Sequence, residues 1–335
     1  MDWSIGRTIA MNDIQSEEPL VSVKNLVTRF DIRSGFLRRV TERVHAVEKV
    51  SLSIAKGETL ALVGESGCGK STLGRSILQL DRPTAGSVKF EGLETLGLSY
   101  DEMRPFRKQM QMIFQDPFGS LNPRMVVGDI IAEPMIINGV AQGKDLRNRV
   151  LELLELVELG PEHLNRYPHA FSGGQRQRIC IARALGLNPK LIIADESVAA
   201  LDVTIQAQVI NLMMDLQAEF GISFLFISHD MAVVERIAHR VAVMYIGEIV
   251  EIGDRRSIFE NPQHAYTKKL LASVPIADPR RRPENRQLMI DEIPSVIRPV
   301  GYKPTHLPMR KVSDNHFVRA EKSASDRYKS DPAHL

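Results

Sequence analysis

Gly64-Glu65-Ser66-Gly67-Cys68-Gly69-Lys70-Ser71, followed by Thr72, is the stretch that decides how this chain folds. An apolar run, Thr59 to Val63, precedes it and has the unalternated composition of a buried parallel strand. After it, Leu73, Ile77 and Leu80 recur at helical spacing. Two glycines with four residues between them, followed by Lys and Ser, form the pattern of a phosphate-binding loop. The sequence therefore predicts a strand, a phosphate loop and a helix in succession.

The residue types in this loop suit a nucleoside triphosphate with Mg²⁺. Glycines let consecutive backbone N–H groups converge on anionic oxygens, and the positive end of the following helix adds to that field. Lys70 would reach the outer phosphates as a point charge, and the Ser71 hydroxyl would complete the Mg²⁺ shell. We predict that residues 64–72 bind the nucleotide.

Cys68 lies inside the predicted loop. We expect the helix dipole and Lys70 to lower the pKa of its thiol and to make it reactive. An inert loop cysteine is the alternative.

Two further apolar segments end in side chains that can act on a phosphate. Leu191 to Ala194 is followed by Asp195 and Glu196. At the carboxyl edge of a parallel sheet, Asp195 would hold Mg²⁺, and Glu196 would reach past the metal and polarise the attacking water. Taken alone, the same pair could cap a surface turn. The second segment, Ile222 to Ile227, leads to His229.

Ser172, Gly173, Gly174 and Gln175 precede a helical run and offer a second phosphate site. Two glycines leave backbone donors bare at a helix N-terminus. Ser172 with Gln175 three residues later is also a capping box, so a purely structural helix start is the alternative.

The order of these motifs resembles that of ATP-binding-cassette (ABC) ATPases over Leu20 to Ser273. Six elements carry the resemblance: the phosphate loop, Gln115, Phe171 to Gln175, Asp195 with Glu196, Leu201 with Asp202, and His229. The resemblance implies an α/β fold: a P-loop NTPase with a RecA-like parallel sheet core. An N-terminal antiparallel β subdomain, an inserted α-helical subdomain and a C-terminal extension would complete it.

The resemblance also implies a role for each matching residue. Two cassettes would sandwich two ATP molecules, each phosphate loop facing Ser172 to Gln175 of the other subunit, with Asp202 in a loop that contacts across the dimer. Gln115 would contact Mg²⁺ and the attacking water, and His229 would hydrogen-bond the γ-phosphate. Phe30 is the candidate that stacks on adenine. A core phenylalanine is the alternative, because the basic insertion at 33–43 blurs the alignment.

The chain divides into four predicted parts. Residues 1–18 are a lead-in, and 19–273 form the nucleotide-binding domain, with the helical subdomain at about 116–183. Residues 274–315 are a C-terminal extension, and 316–335 are expected to be disordered because the end of the chain is polar and aperiodic. A packing appendage without ligand contacts is the alternative role for 276–315.

Three segments resemble the ATPases of dipeptide and oligopeptide permeases: Tyr167-Pro168-His169, Val203 to Val209, and Asn261 to Thr267. The resemblance implies a bacterial importer with two membrane permease subunits and a periplasmic binding protein that this chain meets only indirectly. A second ATP-binding subunit, different or identical, would complete it. The chain would lie peripherally on the cytoplasmic face of the inner membrane. Related cargoes such as glutathione, nickel or an opine are the alternatives.

Composition excludes several other classes of protein. With 43 basic and 41 acidic residues the net charge is +2, which gives little electrostatic basis for binding nucleic acid. This disfavours a non-transport ABC protein acting on DNA or ribosomes. Two cysteines cannot build a disulfide framework or a four-thiolate cluster. Met1 to Gln15 lacks the basic start and apolar core of a secretory leader, so we expect a cytosolic chain.

Overall fold

A computed structural model of the protein describes residues 18–36, 39–273 and 295–320, and its strands form two sheets. The strands are β1 (Val21–Ser34), β2 (Arg39–Ile54), β3 (Thr59–Val63), β4 (Ala85–Phe90), β5 (Leu93–Glu94), β6 (Met110–Ile113), β7 (Leu191–Asp195), β8 (Ser223–Ser228), β9 (Arg240–Tyr245), β10 (Glu248–Asp254), β11 (Ile297–Pro299), β12 (Met309–Ser313) and β13 (His316–Arg319).

The helices cover both faces of the larger sheet and fill the segment between β6 and β7. They are α1 (Lys70–Ile77), α2 (Tyr100–Gln109), α3 (Pro117–Ser120), α4 (Val127–Ile137), α5 (Gly143–Leu156), α6 (Gly173–Leu185), α7 (Val203–Phe220), α8 (Met231–Ile237), α9 (Arg255–Glu260) and α10 (Ala265–Ala272). None of the helices in the described part of the chain combines the length and the apolarity needed to cross a membrane.

The smaller sheet has the order β11-β2-β1-β4-β5 and is antiparallel, as predicted for the N-terminal region. Its inner face packs alternating apolar residues of β1 and β2, such as Val21 and Val23, into the core. The basic insertion at 33–43 lengthens this hairpin: Arg33 pairs with Val40, and Ser34 with Arg39.

The larger sheet has the order β12-β13-β10-β9-β3-β8-β7-β6. Strands β6, β7, β8, β3 and β9 run parallel, and every residue of β3, β7 and β8 is buried, which explains their unalternated apolar sequences. Parallel strands bring their carboxyl ends to one edge. The segments that follow β3, β6, β7 and β8 therefore meet there, and these are the segments with the predicted site residues.

Helices α3 to α6 form the inserted helical subdomain. Its core joins apolar residues of α4, α5 and α6, among them Ile131, Leu153 and Ile181, and continues into the packing of α7 on the sheet. Short 3-10 turns at Pro161–His163 and Pro168–Ala170 lead into α6. The chain thus has the predicted α/β class with its antiparallel and helical subdomains.

Two local predictions were wrong. Helix α1 ends at Ile77, so Leu80 lies outside it and is exposed. The tail expected to be disordered from 316 begins instead with strand β13, which pairs with β10 and β12. His316 and Val318 of this strand are buried. The partner strand β10 is far away in the sequence, so the polarity of the local sequence could not predict this pairing.

Residues 1–17, 37–38, 274–294 and 321–335 lie outside the described residues, as do the predictions that fall on them.

Candidate nucleotide-binding site

The phosphate loop turns from the end of β3 into α1, and Lys70 folds back across it. The buried Lys70 Nζ donates to the carbonyl oxygens of Gly64 at 2.8 Å and Glu65 at 3.0 Å. These contacts hold the ammonium group over the loop, where it can meet an anionic ligand.

Gly69 caps α1 and is required there by its backbone. Its φ is +106°, which L side chains rarely adopt, and a Cβ atom would lie 2.0 Å from the carbonyl oxygen of Ala46. The absence of a side chain lets the loop pass close to β2. The first peptide groups of α1 therefore start from a compact turn, as a phosphate cradle needs.

Four predicted catalytic residues meet at the carboxyl edge of the larger sheet. Glu196 lies at their centre: Gln115 Nε2 donates to its Oε2 at 2.9 Å. Lys70 Nζ is 3.9 Å from Glu196 Oε1, and His229 Nδ1 is 3.4 Å from the same oxygen. The residues come from the segments after β3, β6, β7 and β8, so parallel strand order brings them together.

Main-chain contacts fix the backbone at Glu196 and next to His229. Glu196 has φ +45°, in the left-handed region, and its N–H donates to the carbonyl of Ile227 at 2.9 Å. On the neighbouring segment, Asp230 accepts from Ala232 N and caps α8, which fixes the turn that carries His229. Both carboxylate and imidazole are thus aimed by main-chain contacts.

Asp195 and Ser71 form a second pair of oxygen atoms beside the loop. Ser71 Oγ donates to Asp195 Oδ1 at 2.7 Å, and Asp195 is 4% exposed. Burial raises the pKa of Asp195, Ser71 opposes that shift, and the nearby Glu196 adds to it. Among the described residues no basic side chain lies within ion-pairing distance of Asp195, so this buried carboxylate suits a cation.

Ser172 to Gln175 begin α6, in the helical subdomain. Both arms of the capping box are present: Gln175 N donates to Ser172 Oγ, and Ser172 N donates to Gln175 Oε1. A Cβ on Gly174 would lie 2.2 Å from Ile205 Cγ2, so this glycine lets α6 approach α7 closely. In the described residues no hydrogen bond joins this segment to the phosphate loop. The helix-capping alternative is therefore present in the structure. The proposed phosphate role requires a nucleotide that this chain's own loop does not hold.

Among the described residues, the remaining predicted ones make no hydrogen bond or ion pair to the cluster. Asp202 caps α7, accepting from Ile205 N at 3.0 Å. Phe30 pairs with Val44 on the β1–β2 hairpin and is 40% exposed, so the alternative of a core phenylalanine is wrong. Its contact with adenine stays a prediction.

The expected reactivity of Cys68 does not agree with the structure. Its thiol is buried, and burial raises its pKa more strongly than Lys70 lowers it. The side chain packs into the core beneath the loop instead of facing the phosphate side. Spacing alone places a cysteine in the loop but does not tell which way its side chain points.

We therefore expect Cys68 to react with iodoacetamide at least about tenfold more slowly than free cysteine at neutral pH, because the thiolate is the nucleophile. Mass spectrometry of the folded protein, with a denatured sample as control, measures the rate. Cys180, also buried with its pKa raised to about 11, serves as the internal reference. If Cys68 were alkylated rapidly and ATP prevented the reaction, the thiol would be reactive, as the sequence analysis expected.

One contact to the loop was not anticipated from the sequence. The hydroxyl oxygen of Tyr266, on α10, accepts a hydrogen bond from Glu65 N at 2.8 Å. Tyr266 belongs to the segment Asn261 to Thr267, which resembles permease ATPases. Nothing in that segment predicts a contact with the phosphate loop.

Comparisons with known proteins identify the family. Residues 47–199 match the family model described as ABC transporter, and 250–299 match that of the oligopeptide/dipeptide transporter C-terminal region. A dimeric post-hydrolysis state of the ATP-binding cassette MJ0796, bound to ADP and Pi, superimposes with a TM-score of 0.62 and 32% identity. The match covers 70% of this chain and 99% of that one. This chain is an ATP-binding cassette of the ABC transporter family.

Other relatives agree with the cassette assignment. Clostridium perfringens cbiO1, part of the ABC transporter complex cbiONQ, gives a TM-score of 0.62 at 26% identity, covering 73% of this chain and 92% of that one. The glutathione import ATP-binding protein GsiA of Pectobacterium atrosepticum is 60% identical over 90% of this chain, and that of Escherichia coli is 56% identical over 94% of it. These matches cover 48% and 51% of the relatives, so the chain spans about half their length. The family and fold predicted from the motifs are confirmed.

Proposed function

We propose that this cassette hydrolyses ATP as the energy-supplying component of an importer, at sites that two cassettes share. One observation carries the proposal: Glu196 lies at the mouth of the phosphate loop, in contact with Gln115 and within 4 Å of Lys70 and His229. A carboxylate, an ammonium, an amide and an imidazole converge there from four separate segments. This set can bind a terminal phosphate and orient water against it.

The arrangement assigns a step to each residue. Lys70 and the loop amides bind the β- and γ-phosphates of ATP and offset their charge. Glu196 accepts a proton from the attacking water, Gln115 holds the Glu196 carboxylate and the water, and His229 donates to the γ-phosphate. Phosphoryl transfer depends mainly on positioning and charge stabilisation, so residues aimed by the backbone suit it.

Ser71 and Asp195 are the residues that would hold Mg²⁺, with Gln115 as a third oxygen donor. The fit rests on the buried Asp195 carboxylate beside the Ser71 hydroxyl. The described residues hold no cluster of three or more His, Cys, Asp or Glu side chains able to bind a metal. A site with few protein ligands suits Mg²⁺, which keeps several waters and phosphate oxygens. Bound there, Mg²⁺ neutralises charge on the phosphates.

One chain supplies only part of the proposed site, which supports the participation of a second cassette. Ser172 to Gln175 present the N-terminus of α6, with Gly173 and Gly174 at its first two positions, but they make no hydrogen bond to the loop within the described residues. Helix N-termini bind anions. We infer that each segment closes over ATP held by the other cassette, whether a second copy or a related ATPase. The similar cassette MJ0796 is dimeric in both of its structures.

The relatives support a role in transport. The matching C-terminal region supports an importer of the dipeptide and oligopeptide family, with two membrane permease subunits and a periplasmic binding protein. Such a cassette would lie on the cytoplasmic face of the inner membrane. The names of the GsiA relatives favour glutathione, the alternative cargo, over other peptides. A non-hydrolysing regulatory cassette is disfavoured, because Lys70, Glu196 and His229 are all present and in contact distance.

Gly173→Asp tests the shared site. The nearest atom to an added Cβ is Leu201 Cδ2 at 3.3 Å, and an acidic residue in the first turn favours the helix, so the fold should persist. The new carboxylate would repel a phosphate presented by the partner. We expect ATP turnover to fall about 10- to 100-fold, while equilibrium binding of ATP to a single cassette is unchanged.

Gln142→Asp is the matched control, since it adds the same charge at the N-terminus of α5 in the same subdomain. It should keep normal turnover. Turnover per chain should also rise with protein concentration, or on adding the partner ATPase, because two chains build each site. Full turnover by Gly173→Asp would contradict the shared site.

A further inference from the structure

Tyr266 connects the C-terminal part of the chain to the phosphate loop. Its hydroxyl oxygen accepts from Glu65 N at 2.8 Å, across 201 positions of sequence. Glu65 is the second residue of the loop, so its peptide group fixes the direction in which the loop leaves β3. That N–H group points at Tyr266 and therefore not at a bound phosphate.

The Tyr266 side chain is itself held firmly. It is 8% exposed, and its ring centroid lies 4.3 Å from that of Tyr245 at the end of β9. Burial raises the pKa of Tyr266, so the hydroxyl stays protonated and neutral at physiological pH. A rigid neutral acceptor fixes the Glu65 peptide without adding negative charge beside a triphosphate.

The start of α10, which carries Tyr266, is anchored by a buried carboxylate. Glu251 on β10 accepts from Gln263 N at 2.7 Å and from His264 N at 2.9 Å. His316 Nε2 of β13 lies 2.7 Å from Glu251 Oε1, and both side chains are buried. His264 Nδ1 accepts from Tyr266 N at 3.1 Å. A continuous set of contacts thus runs from the C-terminal strand through Glu251 to the loop.

We propose that Tyr266 is a positioning residue for the phosphate loop: its hydroxyl orients the Glu65 peptide so that the remaining loop amides converge on ATP. This inference rests on the proposed function, because it concerns the affinity of the same site for nucleotide. It also gives the C-terminal segment a role beyond packing, since Glu251 and His316 hold the helix from which Tyr266 acts.

Tyr266→Phe keeps the ring and removes only the acceptor. We expect the Kd for ATP to rise about 5- to 100-fold, because ATP binding must then hold the partly buried Glu65 N–H group in place without its hydrogen-bond partner. Turnover at saturating ATP should change less than about threefold, because the hydroxyl does not contact Glu196, Gln115 or His229. Equilibrium titration with a fluorescent ATP analogue and steady-state kinetics measure the two effects separately.

Thr267→Val is the matched control. Thr267 is the next residue of α10 and is buried, and its Oγ1 has no hydrogen-bond partner among the described residues. Deleting this hydroxyl should leave the Kd for ATP unchanged. Thermal unfolding of both variants reports any general loss of stability in α10.

A double-mutant cycle with Glu65→Pro separates positioning from a merely structural effect. Proline has no N–H, so Tyr266→Phe should weaken ATP binding less than about twofold in that background. Equal Kd values for Tyr266→Phe and the unmodified protein would overturn the inference, as would an undiminished effect in the Glu65→Pro background. Failure of the unmodified protein to bind ATP would instead overturn the proposed function itself.

Discussion

Glu196→Gln is expected to lower ATP turnover about 10²- to 10⁴-fold, the range for loss of a general base. An amide fills the same space as the carboxylate but cannot take a proton from water. Its oxygen can still accept from Gln115, so the cluster should keep its shape. ATP binding should survive, because Lys70 and the loop amides are untouched. Steady-state phosphate release and equilibrium ATP binding measure the two effects.

Glu219→Gln is a suitable control for the removed charge. Glu219 is exposed near the end of α7, just before β8 begins, and so lies toward the opposite edge of the sheet from Glu196. Its amide variant should turn over ATP at the normal rate. If Glu196→Gln hydrolysed ATP nearly as fast as this control, Glu196 would not be the base.

Lys70→Ala is expected to weaken ATP binding about 10²- to 10⁴-fold. The substitution would remove the two charge-assisted contacts that the proposed site makes to phosphate oxygens, each worth roughly 1.5–3 kcal/mol. It also removes the donor that joins the carbonyls of Gly64 and Glu65, so the loop loses an internal brace. The first effect weakens the nucleotide-bound state and the second loosens the loop that receives ATP, and isothermal titration calorimetry with ATP measures them together.

The comparison variant is Lys190→Ala, which removes a partly exposed ammonium group paired with Glu91 at 2.8 Å. Lys190 immediately precedes β7 and lies at the amino edge of the sheet, away from the nucleotide site. Its loss should leave ATP affinity unchanged. An affinity of Lys70→Ala equal to that of this variant would show that the ammonium group does not bind phosphate.

The proposed catalytic cluster was predictable because its parts follow strands. Asp195 and Glu196 end one apolar segment and His229 follows another, and parallel strands place such ends at one edge. The resemblance to ABC ATPases supplied Gln115, which no local pattern marks. The structure adds the contacts: Gln115, Lys70 and His229 all approach the carboxylate of Glu196.

Side-chain direction and long-range pairing were less predictable. Cys68 occupies the expected position in the loop but turns into the core, which reverses the expected shift of its pKa. The segment His316–Arg319 was grouped with the polar end of the chain, yet it adds a strand to the sheet because β10 offers an edge with which it can pair. Both outcomes depend on neighbours that are distant in the chain.

By itself, the sequence determined the fold class, the phosphate loop and the residues able to act on a phosphate. Periodicity, glycine placement and side-chain chemistry are local properties, and they can be read residue by residue. Only the tertiary structure decided which way Cys68 points and that Tyr266 holds Glu65. These features arise when packing brings together groups far apart in the chain, and no local pattern encodes that distance.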